Sequence, residues 1–364
     1  MSRYELSISP NYVKNWGVRE AARELFQNGF DAEISNPDNK FTYEMTERQI
    51  TFTNKKSVLE KSSLLFGNTT KTTGETVGSF GEGYKLALMV LLRSGLSVVI
   101  YNYACKETWT PKIIQSKRYG SKLLVIDITK SIFKKQNQNL TIQVLGLTTA
   151  EISKIRESVL QTQPTYAHHN TDLGQILLND NHKSKIFVGG LFVCSNKDLR
   201  YGYNFNPGVI TVDRDRCLVD DFQTFWKTSS VWNLVDDTQL KVRLVSDQVK
   251  DVKYINSQGN SLKLGNHVTQ RFQRKYGKDA IPVTNQSNLE ATSATYKGSP
   301  IIVSEQEKDM IVCSSLYVPP SPKKEVKLPH VVLGEWLTNH RHVLYQEAID
   351  DFELIITKSE GWYE

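Results

Sequence analysis

The sequence predicts an α/β protein whose first part layers helices on an antiparallel sheet. Two observations predict it. An amphipathic stretch at helical spacing lies near the start of the chain, and four segments of period-two alternation fall within residues 96–145. With 364 residues there is room for two or three domains. Hydrophobic content of 39% and charged content of 23% are those of a soluble globular protein. No apolar run approaches the length of a membrane span, so no membrane partner is expected. Met1-Ser2-Arg3-Tyr4-Glu5 has no apolar signal region. Cys105, Cys194, Cys217 and Cys313 form no C-x-x-C pair, which argues against zinc or a disulfide framework and fits a reducing cytoplasm. The net charge of +6 permits a nucleic-acid partner without requiring one.

Taken in order, Asn15 is a candidate cap for a helix over Trp16–Glu33, ended by Asn36-Pro37. Phe41–Met45 and Gln49–Thr53 read as a hairpin. A helix over Tyr84–Ser94 stops at Gly95. Leu96–Tyr103, Thr108–Gln115, Lys122–Asp127 and Leu140–Leu145 read as a meander, closed by a helix over Thr149–Leu160. The polar stretch 161–182 reads as a linker or long loop. Beyond it come a strand over Ile186–Cys194, a turn at Tyr201-Gly202-Tyr203-Asn204, a strand over Val209–Val212 and helices around 219–230 and 240–250. A smaller α/β piece has strands at Ile281–Thr284 and Ile301–Ser304, a helix near 288–296 and another from Glu305. Pro319-Pro320-Ser321-Pro322 breaks the chain before a helical tail. The expected domains are 1–165, 166–263 and 264–364.

Two patterns carry chemistry. The first helix holds Glu24, Asn28 and Asp31, which at 100° per residue fall within roughly 60° of one another beside the apolar stripe Val18, Ala21, Leu25, Gly29 and Ala32. By itself that is a solvated helix edge as readily as a site. Gly78, Gly81 and Gly83 then form a G-x-x-G-x-G run ending where an apolar helix begins. Free backbone N–H groups at a helix start suit a polyphosphate. The spacing is neither a P-loop nor the dinucleotide fingerprint.

Together these resemble the superfamily of DNA gyrase, heat-shock chaperones, histidine kinases and MutL, most closely its chaperone-like and MORC-like branches. Arg23-Glu24-Leu25-Phe26-Gln27-Asn28-Gly29-Phe30-Asp31-Ala32 is similar to the first motif. Phe66-Gly67-Asn68-Thr69-Thr70-Lys71 with Gly78-Ser79-Phe80-Gly81-Glu82-Gly83-Tyr84-Lys85 is similar to the lid and third motif. The resemblance implies an α+β two-layer sandwich of the Bergerat type, a ribosomal-protein-like βαβ transducer domain and a small C-terminal α/β region. It implies ATP and Mg²⁺ as ligands. Glu24 would be the general base and Asn28 the metal ligand, with Asp31 a further nucleotide-site residue. Gly78, Phe80, Gly81 and Gly83 would border the phosphates, Lys85 would neutralise their charge, and Lys71 would contact them from a lid over 68–76, unless it is a solvated loop lysine. The superfamily's second motif, D-x-G-x-G, is absent. Asn54 stands at the aspartate's position and can still accept from an adenine amino group. Lys185–Val193 is similar to the transducer's opening strand. Val209–Arg216 is similar to the segment that presents an arginine to the terminal phosphate, and the pattern does not separate Arg214 from Arg216. A self-paired Asp/Arg surface run is the alternative.

The expected function is an ATP-driven conformational ATPase, with a homodimer as a possible accompaniment. Two alternatives stand beside it: a nucleotide-binding regulatory module with little turnover, and a DNA-linked ATPase of MutL or MORC type. Basic runs at Lys112, Lys117, Arg118 and Lys122, and at Arg271, Arg274, Lys275 and Lys278, could touch phosphates, but solvated faces carry such runs routinely. Residues 264–364 carry no assignable motif and are expected to bind a protein partner.

Overall fold

Aromatic side chains decide where the first core sits. Phe26 is fully buried, and its ring meets Phe41, Tyr43 and Phe52 edge-on with centroids 6.1, 5.1 and 4.9 Å away. These rings join helix α1 (Val18–Ser35) to strands β2 (Phe41–Met45) and β3 (Gln49–Asn54). The computed structural model describes residues 1–65, 83–133, 137–212, 220–257, 261–323 and 328–360. It is an α+β protein whose largest sheet is antiparallel throughout, and the chain divides into two compact units, Met1–Leu264 and Gly265–Glu364.

The first sheet has seven strands in the order β1-β6-β5-β4-β7-β3-β2. Its other members are β1 (Ser2–Leu6), β4 (Ser97–Asn102), β5 (Glu107–Gln115), β6 (Lys122–Lys130) and β7 (Leu140–Leu145). Helices α1, α2 (Gly83–Arg93) and α3 (Thr149–Glu157) contribute to one core with it. Three expectations change here. The strands are not a simple meander, because β7 inserts between β4 and β3 and pairs with both. An N-terminal strand also appears, held at the edge by Arg3, whose Nε donates to Asp127 at 2.7 Å. Helix α1 starts later than Asn15 suggested. The Gly17 N–H donates to the Glu20 carboxylate at 2.9 Å, so an acid inside the helix satisfies the first orphan donor.

The second sheet is β11-β10-β12-β9-β8: β8 (His168–Thr171), β9 (Gly174–Leu177), β10 (Lys185–Val188), β11 (Leu191–Ser195) and β12 (Gly202–Phe205). Part of the expected linker is therefore a hairpin. The single strand expected over 186–194 is two strands around Gly189-Gly190, whose φ values of +57° and +82° meet the demand of a two-residue turn. The expected turn at 201–204 lies mostly within β12, which runs parallel to β10, and the connection between that pair passes through β11 without a helix. Helices α4 (Asp221–Leu234) and α5 (Thr238–Ser246) follow.

A buried polar chain fastens α4 to this sheet. Trp232 Nε1 donates to the Tyr203 hydroxyl at 2.8 Å, and that hydroxyl donates to Asp251. Asp251 also accepts from the Arg200 and Tyr201 N–H groups at 2.8 and 3.1 Å and is fully buried. Burial pushes its carboxyl up from the ordinary value, against the pull of these donors.

The second unit has helix α6 (Ser261–Tyr276) at its start, then β13 (Ala280–Val283), α7 (Gln286–Thr295), β14 (Ser299–Ile302) and α8 (Glu305–Val312), with β13 and β14 parallel. Helices α9 (Pro329–His340) and α10 (Gln346–Glu360) pair through Trp336 and Phe352, whose ring centroids are 4.9 Å apart. Among the described residues no helix is long and apolar enough to cross a membrane.

Asp251→Ala leaves two backbone N–H groups and the Tyr203 hydroxyl buried without this acceptor. The expected loss is about 3–5 kcal/mol in denaturant unfolding, and Tyr203→Phe is expected to cost about 1–3 kcal/mol. A separate test concerns His182, which is buried, has Nε2 2.8 Å from the Gln163 side-chain oxygen, and is lowered in pKa by burial and by the Lys185 charge. The unfolded chain takes up that proton first as pH falls below about 6.5, so the neutral side chain's share of stability fades there. Wild type should lose more stability than His182→Gln between about pH 7 and pH 5.

Candidate functional site

Because Phe26 faces the aromatic cluster, the centre of the Glu24, Asn28 and Asp31 face lies roughly 165° around the helix from it. On a surface helix that face would meet water. Here Glu24 is 3% exposed and Asp31 1% exposed. Helix α2 packs along α1, and its first residue comes directly against Glu24: a Cβ added to Gly83 would lie 2.2 Å from Glu24 Oε2. The absence of a side chain at Gly83 is what admits the carboxylate. The acid of the first pattern and the last glycine of the second thus converge.

Asn28 Nδ2 donates to the Glu24 carbonyl oxygen at 2.8 Å, one helical turn back. That bond directs the nitrogen to the helix backbone and puts the oxygen on the other arm of the amide. Asn54, at the end of β3, donates through Nδ2 to the carbonyl oxygens of Gly29 and Asn39, both at 3.0 Å. Its position beside α1 is therefore fixed by two main-chain bonds, and its oxygen is the half of the amide suited to accept from a ligand. Lys85 is fully buried, and its ammonium donates to the Leu65 carbonyl oxygen and lies 5.7 Å from the Tyr84 ring centre. Tyr84 in turn donates to the Ser63 carbonyl oxygen at 2.9 Å, and burial pushes its phenol up to about 12. The start of α2 is in this way tied to the chain just before the glycine-rich segment.

Glu24, Asn28, Asp31, Asn54, Gly83 and Lys85 all lie in the first unit, on or beside α1 and α2. Lys71, Gly78, Phe80, Gly81, Arg214 and Arg216 lie outside the described residues. Lys112, from the first basic run, is 3.3 Å from Asp127 and shares that acid with Arg3.

Arg23, which opens the first motif without a role that the pattern assigns, joins the site as well. It is buried between α1 and β11, with Nη1 donating to the Phe192 carbonyl oxygen at 3.3 Å and Nη2 3.7 Å from Glu24 Oε1. An arginine beside the motif acid was visible in the sequence. Its reach to a strand far along the chain was not. Nor did the stripe of Val18, Ala21 and Leu25 reveal that Phe26 and Phe30 make the ring contacts to the sheet.

As donors, an asparagine oxygen with nearby carboxylates fits an Mg²⁺ that is otherwise held by phosphates and water. Among the described residues no three His, Cys, Asp or Glu side chains are grouped as for a metal held by protein alone.

Residues 150–220 match the family model described as the Mycoplasma pneumoniae MPN635 N-terminal domain. The match covers the second sheet and the segment with Arg214 and Arg216, and leaves out α1 and α2. A Mycoplasma pneumoniae protein described as uncharacterized is 24% identical over 218 residues, 56% of this chain and 84% of the relative. Neither description states an activity.

Gly29 gives a direct test of how α1 is seated. A Cβ there would lie 2.2–2.5 Å from the Phe41 ring, which is itself buried and unable to swing into solvent. Gly29→Ala is expected to lower stability by about 1–3 kcal/mol in denaturant melts, with Phe41→Leu in the same background restoring part of it.

Proposed function

We propose that the first unit binds ATP with Mg²⁺ and hydrolyses it, as a member of the gyrase, heat-shock chaperone, histidine kinase and MutL superfamily with a Bergerat-type site. The observation that carries this reading is the contact of the buried Glu24 carboxylate with Gly83. The acid lies 3.7 Å from the buried Arg23 guanidinium, and its other oxygen is directed at the glycine that ends the G-x-x-G-x-G run, where a base for an attacking water would have to stand.

In this reading Glu24 accepts the proton of the attacking water. The Asn28 oxygen holds the metal, which when bound supplies positive charge to the phosphates. Asn54 accepts from the purine amino group. Gly78, Gly81 and Gly83 leave room for phosphate oxygens, Phe80 and Asp31 border the nucleotide, and Lys85 and Lys71 supply positive charge. Arg214 or Arg216 stabilises charge on the transferred phosphoryl group. ATP-dependent pairing of two copies, and a protein partner at 264–364, belong to the same proposal.

A second reading, a nucleotide-responsive regulatory module with little turnover, is favoured by Asn54. An amide stands where the superfamily has a carboxylate, and its nitrogen is already committed to Gly29 and Asn39.

Turnover and binding measured on the full chain separate these readings. Glu24→Ala should bind ATP with near-wild-type affinity and hydrolyse it at least about tenfold more slowly. Asn28→Ala should lose the part of the affinity that EDTA removes from wild type. ATP binding without turnover in wild type would select the regulatory reading, and turnover that rises with DNA would select the MutL or MORC type. Absence of ATP binding, or equal turnover in wild type and Glu24→Ala, would sink the catalytic assignment.

A further inference from the structure

The second sheet carries a polar cleft that the nucleotide reading does not use. Tyr203 and its strand partner Ile176 are on the α4 side, so their neighbours Asn204 and Gln175 point to the opposite face. There they line a cleft of about 390 Å³ together with Asn170, Gln161, Tyr166 and Asn206. This is near the small end of ligand pockets, which span about 300–1,000 Å³. Among the described residues, none with a charged side chain lines it.

A directional ladder crosses the cleft floor. The Gly190 N–H donates to Asn204 Oδ1 at 2.8 Å, Asn204 Nδ2 donates to Gln175 Oε1 at 3.0 Å, and Gln175 Nε2 donates to Asn170 Oδ1 at 3.0 Å. Each bond fixes the next amide's orientation, and a chain of this kind polarises in one direction. Gly174 allows the strands to approach, since a Cβ there would lie 2.2 Å from the Asn204 carbonyl oxygen. Gln175 and Asn204 each spend one N–H and one acceptor site on the ladder. Each retains a second N–H and a second lone pair, side by side.

That alternation selects a ligand chemistry. A phosphate or carboxylate only accepts, and would set its charge against the amide oxygens. An ammonium only donates, and would meet the N–H groups. A hydroxyl does both, and neighbouring hydroxyls match neighbouring amides. The half-buried Tyr166 ring supplies an apolar wall beside them. Every lining residue also falls within residues 150–220, the stretch matched by the family model. We propose that this cleft binds a neutral polyhydroxylated ligand, one or two sugar rings in size, on donors and acceptors preset by the Asn170–Gln175–Asn204 ladder. The site is separate from the ATP reading and does not rest on it.

The test is calorimetric titration of the full chain with glucose, galactose, mannose, ribose and maltose. Glucose 6-phosphate, adenosine and uridine serve as comparison arms. At least one neutral sugar should bind saturably at millimolar affinity or tighter, more tightly than glucose 6-phosphate, and ATP should not displace it. Gln175→Leu should weaken binding at least about tenfold, the loss expected for one or two hydrogen bonds. Circular dichroism and the unfolding midpoint report whether that variant keeps its fold. If it does not, Asn170→Ala, at the exposed end of the ladder, takes its place with the same expected direction. The proposal fails if no neutral sugar binds saturably, if the charged sugar or a nucleoside binds better, or if a folded ladder variant binds as wild type does.

Discussion

The burial of Phe26 in a nest of aromatic rings is the constraint on which the rest of the first unit depends. It sets the roll of α1 against β2 and β3, and a helix has only one roll. Once Phe26 faces the sheet, Glu24, Asn28 and Asp31 must face away from it, and Arg23 is carried towards β11. The polar face is then closed over by α2, with Gly83 admitting the Glu24 carboxylate. Placement of the acid is a consequence of hydrophobic packing on the other side of the helix. Gly29 belongs to the same arrangement, because it lets the Phe41 ring lie against the helix and offers its carbonyl oxygen to Asn54.

The second sheet is organised on a different principle. Its α4 side is anchored by the Trp232–Tyr203–Asp251 chain, where buried polar groups satisfy one another. Its other side combines a small apolar cluster of Leu160, Leu177 and Phe187 with the amide ladder. One sheet therefore presents a closed polar network to its helix and an open one to its cleft. Strand alternation produces that division, since Tyr203 and Asn204 are adjacent in sequence and opposite in direction.

Arg23 and Phe192 connect the two sheets. The guanidinium reaches the β11 main chain while lying close to Glu24, and the Arg19 guanidinium sits 5.3 Å from the Phe192 ring centre. The helix that carries the proposed base is thus also the element on which β11 rests.

What the sequence by itself determined is local. Period-two alternation placed β2 to β7 within a few residues, helical spacing placed α1, α2 and α3, and Gly95 with φ of +82° ends α2 as a glycine there should. The Glu24, Asn28 and Asp31 face was legible because helix geometry brings those positions together whatever surrounds them. Tertiary structure alone decided the partners. Strand order could not be read, because β7 pairs with β3 and β4 through contacts distant in sequence. The hairpin at 168–177 escaped notice because polar residues such as Asn170 and Gln175 do not alternate with apolar ones as core strands do; they are held by each other and by Asn204. Ile186–Cys194 reads as one strand because apolar residues continue on both sides of Gly189-Gly190, and a glycine pair within a strand fits a bulge as well as a two-residue turn. The meeting of Glu24 with Gly83 and of Asp251 with Tyr203 required the whole chain to pack, since only burial brings such distant groups within reach of one another.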